Sequence, residues 1–265
     1  MNKTELLDKY ARDGESRLLL ARVLDQQQRA DQRGIPTHTA FLSPAEQAMS
    51  ADLLMAAAPG QGVLHGGYAD AERKLWGFLP DWLDEGLWLA GEDCPLAALE
   101  VRVPKGAKLT HRDYLGSLMG LGITREKIGD ILIGETGAQV IVLRETLPIL
   151  LAQWEKAGRY PVTLTPLPLD QLTPTPGETK EVRATVASVR LDAVVSAGFS
   201  IPRSRAADLI RGGRVMVNHR PCEKTDKVVE AGDVLTCRGL GKCVLTEIGG
   251  TSKRGRTILT LQRYL

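Results

Sequence analysis

RLDAVVSAGFSIPRSRAADLIRGGRVMVN, residues 190–218, decides how this chain is read. Its first ten residues make a short amphipathic helix closed by Gly198. PRSRAADLIRGG is a second helix, with Pro202 suited to its start and Gly212-Gly213 to its end. RVMVN is then a strand, HRP (219–221) a turn, and GDVLTCRG (232–239) another strand. Arg203, Arg205, Arg211 and Arg214 fall within one helix–turn unit, with Ser204 among them. Guanidinium forks match phosphate oxygens, and a helix start adds backbone N–H donors. Arg203 and Arg205 are therefore the first candidates for phosphate contact, with Arg190 contributing from the first helix. Asn218 and Arg220, in the turn after the strand, are expected to reach sugar or base edges.

The charge distribution supports this reading. From Lys180 onward there are 16 Lys and Arg against 8 Asp and Glu, whereas residues 1–179 hold 18 against 24. A basic C-terminal third on an acidic body suggests a polyanionic partner for that third. The last segment, GGTSKRGRTILTLQRYL, adds a basic hairpin tip at Lys253, Arg254 and Arg256, either a second phosphate clamp or a solubilising turn. No apolar run approaches the roughly 18–20 residues of a membrane helix, and the N-terminus lacks the apolar core of a secretion signal. A cytoplasmic protein is expected, with no membrane partner. Cys94, Cys222, Cys237 and Cys243 form no C-x-x-C and no zinc spacing, so neither a metal nor another cofactor is expected.

Working outward, DQLTPTPGETK (170–180) reads as a linker, because two prolines and a glycine disfavour regular structure. Before it, AALEVRV is a strand, residues 110–122 a helix, KIGDILIGE and AQVIVLRE a hairpin, LPILLAQWEKAG a helix ending at Gly158, and YPVTLTPL a strand. That β-α-β-β-α-β order predicts a ferredoxin-like (RRM-like) sandwich over 85–169. Its central strands carry Ile, Leu and Val where base-stacking aromatics would stand. Residues 1–84 are a mainly helical N-terminal region. They hold a helix to about 35 bent at Gly14, a helix opened by Ser43-Pro44 with Glu46, and a strand, Gly-Gly turn and helix over 63–80. Residues 181–265 are the basic domain. The fold class is α+β.

Two motifs invite enzymatic readings. His111-Arg112-Asp113 matches the start of a kinase catalytic loop, but Leu118 stands where the metal-binding Asn is needed, and neither D-F-G nor V-A-I-K is present. Asp113 instead suits the first turn of a helix. Arg190-Leu191-Asp192 matches the catalytic motif of pseudouridine synthases, yet only 73 residues follow it, too few for a synthase domain. Asp192 is read as a structural carboxylate, and no catalytic residue is assigned.

The helix pair and sheet resemble the alpha-L RNA-binding domain of ribosomal protein S-four. The matching residues are Arg190, Leu191, Asp192, Arg203–Ala206, Leu209-Ile210, Gly213, Val215, Val217, Asn218 and Gly232-Asp233. Pro202 stands where that family often has Ser, a departure at the helix start. With GGYADAERK (66–74), FLPDW after it, and HRDYLGSLMGLGITREKIGDI (111–131) upstream, residues 60–265 resemble the YlmH family of bacterial RNA-binding proteins. This family is also labelled photosystem II S-four domain proteins. The resemblance implies a non-enzymatic protein that binds ribosomal RNA or tRNA on the large ribosomal subunit, in rescue or quality control of stalled ribosomes. No DNA partner is expected. It also makes Arg112, Arg125 and Lys127 candidates for a second RNA-facing patch, and Arg73 with Lys74 for a third. The competing readings are an RNA-modifying enzyme that uses the domain to deliver substrate, and a protein-interaction scaffold.

Overall fold

The computed structural model describes residues 2–58, 60, 62–174, 177–252 and 254–264. Of the candidate site residues, Lys253 lies outside them. The chain divides into two compact units, Met1–Thr175 and Pro176–Leu265.

The first unit opens with α1 (Lys3–Tyr10) and α2 (Gly14–Arg33). The break falls at Gly14 because Asp13 caps α2, its carboxylate accepting the Ser16 N–H at 2.8 Å. After β1 (Thr37–His38), α3 (Pro44–Ala57) starts as its S-P-x-E pattern predicts, with the Glu46 carboxylate taking the Ser43 N–H at 2.6 Å. Next come β2 (Val63–His65) and β3 (Leu75–Phe78), joined with β1 in an antiparallel sheet of order β1-β3-β2. The helix expected towards residue 80 is thus a strand. Leu75, Gly77 and Phe78 are buried, and Gly77 lies under the Trp88 indole of α4 (Glu85–Ala90). A Cβ at Gly77 would sit 2.4 Å from that ring. Gly77→Ala is expected to cost about 1–3 kcal/mol through overpacking. Denaturant unfolding followed by tryptophan fluorescence would check this, and an unchanged midpoint would refute it.

Next come β4 (Leu96–Arg102), α5 (His111–Gly120), β5 (Ile128–Gly134), β6 (Gly137–Leu143), α6 (Leu147–Gln153), a short hairpin of β7 (Lys156–Ala157) and β8 (Tyr160–Pro161), and β9 (Thr163–Leu167). The sheet order is β5-β6-β4-β9, antiparallel throughout, which is the ferredoxin-like arrangement expected. The second helix is shorter than its apolar run suggested. Trp154 turns inward, its indole N–H shared between Ser117 Oγ at 3.0 Å and the Lys156 carbonyl at 3.1 Å, and the chain reverses at Gly158 (φ 57°). One sheet face packs Leu99, Val140 and Val142 against Tyr114, Leu118 and Leu150 of the helices. The other face packs Leu96, Ala98, Ile141 and Leu143 against Phe41, Leu75 and Trp88.

The second unit comprises β10 (Thr179–Val186), α7 (Leu191–Phe199), α8 (Arg203–Arg211), β11 (Val215–Val217), β12 (Arg220–Pro221), β13 (Val234–Cys237), β14 (Gly241–Thr251) and β15 (Thr257–Tyr264). They form one antiparallel sheet of order β10-β15-β14-β13-β11-β12. β10 starts inside the stretch read as linker, and its inward residues Val182 and Val186 join the core. That core sets Val194, Phe199, Ala206 and Ile210 of the helices on Val215, Leu235 and Leu261 of the sheet. Among the described residues no helix is long and apolar enough to cross a membrane.

Candidate nucleic-acid interface

α8 buries Ala206 and Ile210 and turns Ser204, Arg205, Asp208 and Arg211 outward. Its start has no side-chain cap, as Pro202 in place of Ser foreshadowed. The arginines then divide by partner. Arg203 forks onto Asp192, donating from Nε at 3.0 Å and approaching from Nη2 at 2.9 Å. Arg190 Nε lies 3.6 Å from the same carboxylate. Asp192 is buried and also takes the Ala193 N–H at 2.9 Å, while its own N–H donates to the Thr225 carbonyl at 3.1 Å. The R-L-D aspartate is therefore the hub that holds α7, α8 and the 225–227 loop together. Arg203, a first candidate for phosphate, is half-exposed and fixed by this pair rather than free.

Arg205 is exposed and projects from α8. Arg214, just before β11, donates from Nη2 to the Arg238 carbonyl at 3.2 Å, and the Arg238 N–H returns a bond to the Arg214 carbonyl at 2.9 Å. Burial pushes the Cys237 thiol up, while the nearby Arg214 and Arg205 charges pull it back. Arg214 and Arg238 thus form a solvent-facing pair joined by two hydrogen bonds, and Arg205 stands exposed on α8. Sequence reasoning passed over Arg238 because it looked like one charge in a strand end. The signal was the register, since β11 and β13 pair as Val215 with Cys237. Arg211 meets Asp208 one turn back at 3.2 Å.

Asn218 has a different role from the one expected. With His219 it forms a two-residue turn at φ 48° and 63°, a conformation Asn tolerates well. Its amide nitrogen donates to Asp233 at 2.7 Å and its amide oxygen accepts from the Val234 N–H at 2.9 Å. The side chain is committed within the sheet. Arg220 is exposed on β12. Arg256 donates to the Thr185 carbonyl at 2.6 Å, on the sheet edge opposite β12, and Arg254 is exposed beside it.

The patches expected on the first unit are corrected more strongly. Arg125 points inward, donating to the Ile128 carbonyl at 2.6 Å. Burial and then the neighbouring Arg73 charge push it down to about 10. Arg73 is also internal, with Nε bound to the Ile128 carbonyl and Nη2 to the Phe41 carbonyl, both at 3.0 Å. Lys74 reaches the Ala69 carbonyl at 3.1 Å, and Lys127 pairs with Glu145 at 2.9 Å. Only Arg112 of the proposed second patch faces solvent with no ion-pair partner among the described residues. Beneath this region the buried Asp130 accepts the Tyr68 hydroxyl at 2.9 Å, the Glu72 N–H at 2.7 Å and the Arg73 N–H at 3.0 Å. The GGYADAERK loop is therefore a structural belt tied to β5. Asp113 takes both the Thr110 N–H and hydroxyl at 2.7 Å, so the H-R-D aspartate orders a helix start.

Among the described residues no group of three or more His, Cys, Asp or Glu could hold a metal. Cys94, Cys237 and Cys243 are buried core residues, and burial pushes the Cys243 thiol up to about 12.

Three family models match the chain: "YlmH, N-terminal" over residues 15–77, "Putative RNA-binding domain in YlmH" over 90–171, and "S4 domain" over 189–235. A curated relative, ribosome-associated protein quality control protein P2 of Bacillus subtilis (strain 168), is 36% identical over 231 residues, which are 85% of this chain and 86% of that protein. A solved structure, cell division protein ylmH from Streptococcus pneumoniae, is 24% identical with a TM-score of 0.49, covering 60% of this chain and 94% of that one.

Proposed function

The chain belongs to the YlmH family, and on that premise we propose that it is a non-enzymatic RNA-binding protein of the ribosome. Its target is structured RNA of the large subunit, ribosomal RNA with or without tRNA, in the quality control of stalled ribosomes. The observation that carries this reading is the set of solvent-facing arginines Arg205, Arg214 and Arg238, the last two bonded to each other. Arg205 and Arg214 fall within residues 189–235, which the S4 model matches, and Arg238 follows just after them. None of the three has a carboxylate partner among the described residues, so their charge is available to phosphates. The name of the B. subtilis relative, 36% identical across most of both chains, supports the ribosomal part of the reading.

The test is co-sedimentation with ribosomal particles on density gradients at two salt concentrations, with wild type beside Arg205→Glu/Arg238→Glu. Wild type is expected to travel with the large subunit at low salt and leave it as salt rises, because phosphate neutralisation releases counterions. The double variant is expected to stay at the top. A wild type that sediments with no ribosomal particle at low salt would sink the ribosomal reading.

A further inference from the structure

RNA-recognition domains of the β-α-β-β-α-β type read single-stranded bases on the open face of the sheet. Here that face is closed where β4 and β6 meet Phe41, Leu75 and Trp88. Nearer its open end, Gln139 is occupied by the Thr173 N–H and hydroxyl, at 2.7 and 3.1 Å. A nucleic acid approaching residues 90–171 must use another surface.

The cations say which. Residues 90–171 contain nine Lys and Arg. Four have partners within this unit: Arg102 with Glu100 at 3.0 Å, Arg125 on backbone carbonyls, Lys127 with Glu145, and Arg144 on the Cys94 carbonyl at 2.7 Å. The other five are Lys105, Lys108, Arg112, Lys156 and Arg159. All are exposed, and none has an ion-pair partner among the described residues. They are far apart in sequence, yet they sit on two segments that adjoin. Lys105, Lys108 and Arg112 lie on the loop leading into α5 and on its first turn. Lys156 and Arg159 lie on the β7–β8 hairpin. The hairpin turn at Gly158 rests on the loop, since a Cβ there would lie 3.3 Å from Leu109 Cδ2 and 3.9 Å from Asp113. Trp154 ties the hairpin's Lys156 carbonyl to Ser117 of α5. Two carboxylates border the patch. Asp113 is taken up by Thr110, and Glu155 precedes β7. At the hairpin end the Arg159 guanidinium lies 5.0 Å over the half-buried Tyr160 ring and donates to its hydroxyl at 2.9 Å.

We infer that this loop–hairpin rim, Lys105, Lys108, Arg112, Lys156, Arg159 and Tyr160, is a second RNA-binding site that takes the phosphate backbone of the same RNA. The inference rests on the RNA-binding reading above. Five uncompensated cations on two short, mutually packed segments track a backbone, and the arginine-stacked tyrosine offers one flat face for an unpaired base. In an otherwise acidic unit, this rim is where a polyanion meets the least repulsion.

The experiment is filter binding of the full chain to end-labelled large-subunit ribosomal RNA over a salt series. The variants are Lys105→Glu/Lys108→Glu in the rim and Arg29→Glu/Arg33→Glu on α2, which changes net charge equally at exposed positions off the rim. The rim variant is expected to lose at least tenfold in affinity, with the slope of log K against log salt shallower by roughly 1.5. The α2 variant is expected to stay within about twofold of wild type, since only general charge changes. If the two variants behave alike while wild type binds, the rim is overturned and the RNA-binding reading survives. If wild type does not bind, both fall. Unchanged thermal unfolding of the rim variant excludes misfolding as the cause of its loss.

Discussion

Asp130→Ala is expected to destabilise the first unit by about 3–5 kcal/mol, the usual cost of removing one partner from a buried charged network. The carboxylate is buried and satisfies the Tyr68 hydroxyl and the Glu72 and Arg73 amides. Its loss strands three donors and leaves Arg73 and Arg125 without their nearest buried anion. Both are already depressed by burial, Arg125 to about 10, and Asp130 is among the charges that support each. For a unit of this size the melting point should fall by roughly 10 °C or more. All four tryptophans, Trp76, Trp82, Trp88 and Trp154, belong to this unit. Fluorescence therefore reports its unfolding selectively. A midpoint within 2–3 °C of wild type (~1 kcal/mol) would show that the belt over β5 is held by something other than Asp130.

Asp192→Ala should act on the second unit and on RNA affinity together. The variant frees Arg203 and Arg190 from their shared carboxylate and removes an acceptor from the start of α7. The arginines are partly exposed, so water recovers much of the lost pairing, and roughly 2 kcal/mol is expected. In a unit of about 90 residues that amounts to roughly 8–16 °C. Circular dichroism must follow it, because fluorescence will not register this unit. RNA binding should weaken because α8 loses its fixed seat against α7. If Asp192→Ala instead tightened RNA binding, Asp192 would be masking Arg203 from phosphate rather than positioning the helix, and the assignment of Arg203 as a structural partner would fail.

The parts of this molecule set by local chemistry were legible in the sequence. The break at Gly14, the cap at Ser43, the helix pair at 191–211, and the succession of elements in the ferredoxin-like domain follow from residues close together in the chain. What escaped depended on partners far away. LWGF reads equally well as the tail of a helix until Trp88 is seen lying across Gly77. TKEVRATV is too polar to announce a strand, and β15 makes it one by pairing along its whole length. The site showed the same limit. Sequence identifies which residues are charged but not where the charge points. Arg125 and Arg73 were assigned outward and are half-buried, bonded to backbone carbonyls. Arg238, Lys105, Lys108, Lys156 and Arg159 were passed over because nothing in one dimension brings them together.

The second unit begins and ends at one place. Thr179 and Tyr264 are register partners at the end of the β10–β15 pair, about 5 Å apart across neighbouring strands. A segment whose two ends meet can be grafted into a surface loop of another protein with little loop-closure entropy to overcome. It can equally be circularly permuted by joining those ends and opening a turn elsewhere in the unit. The second unit is therefore portable as a single cassette, and its basic surface would travel with it to any carrier that offers two adjacent attachment points.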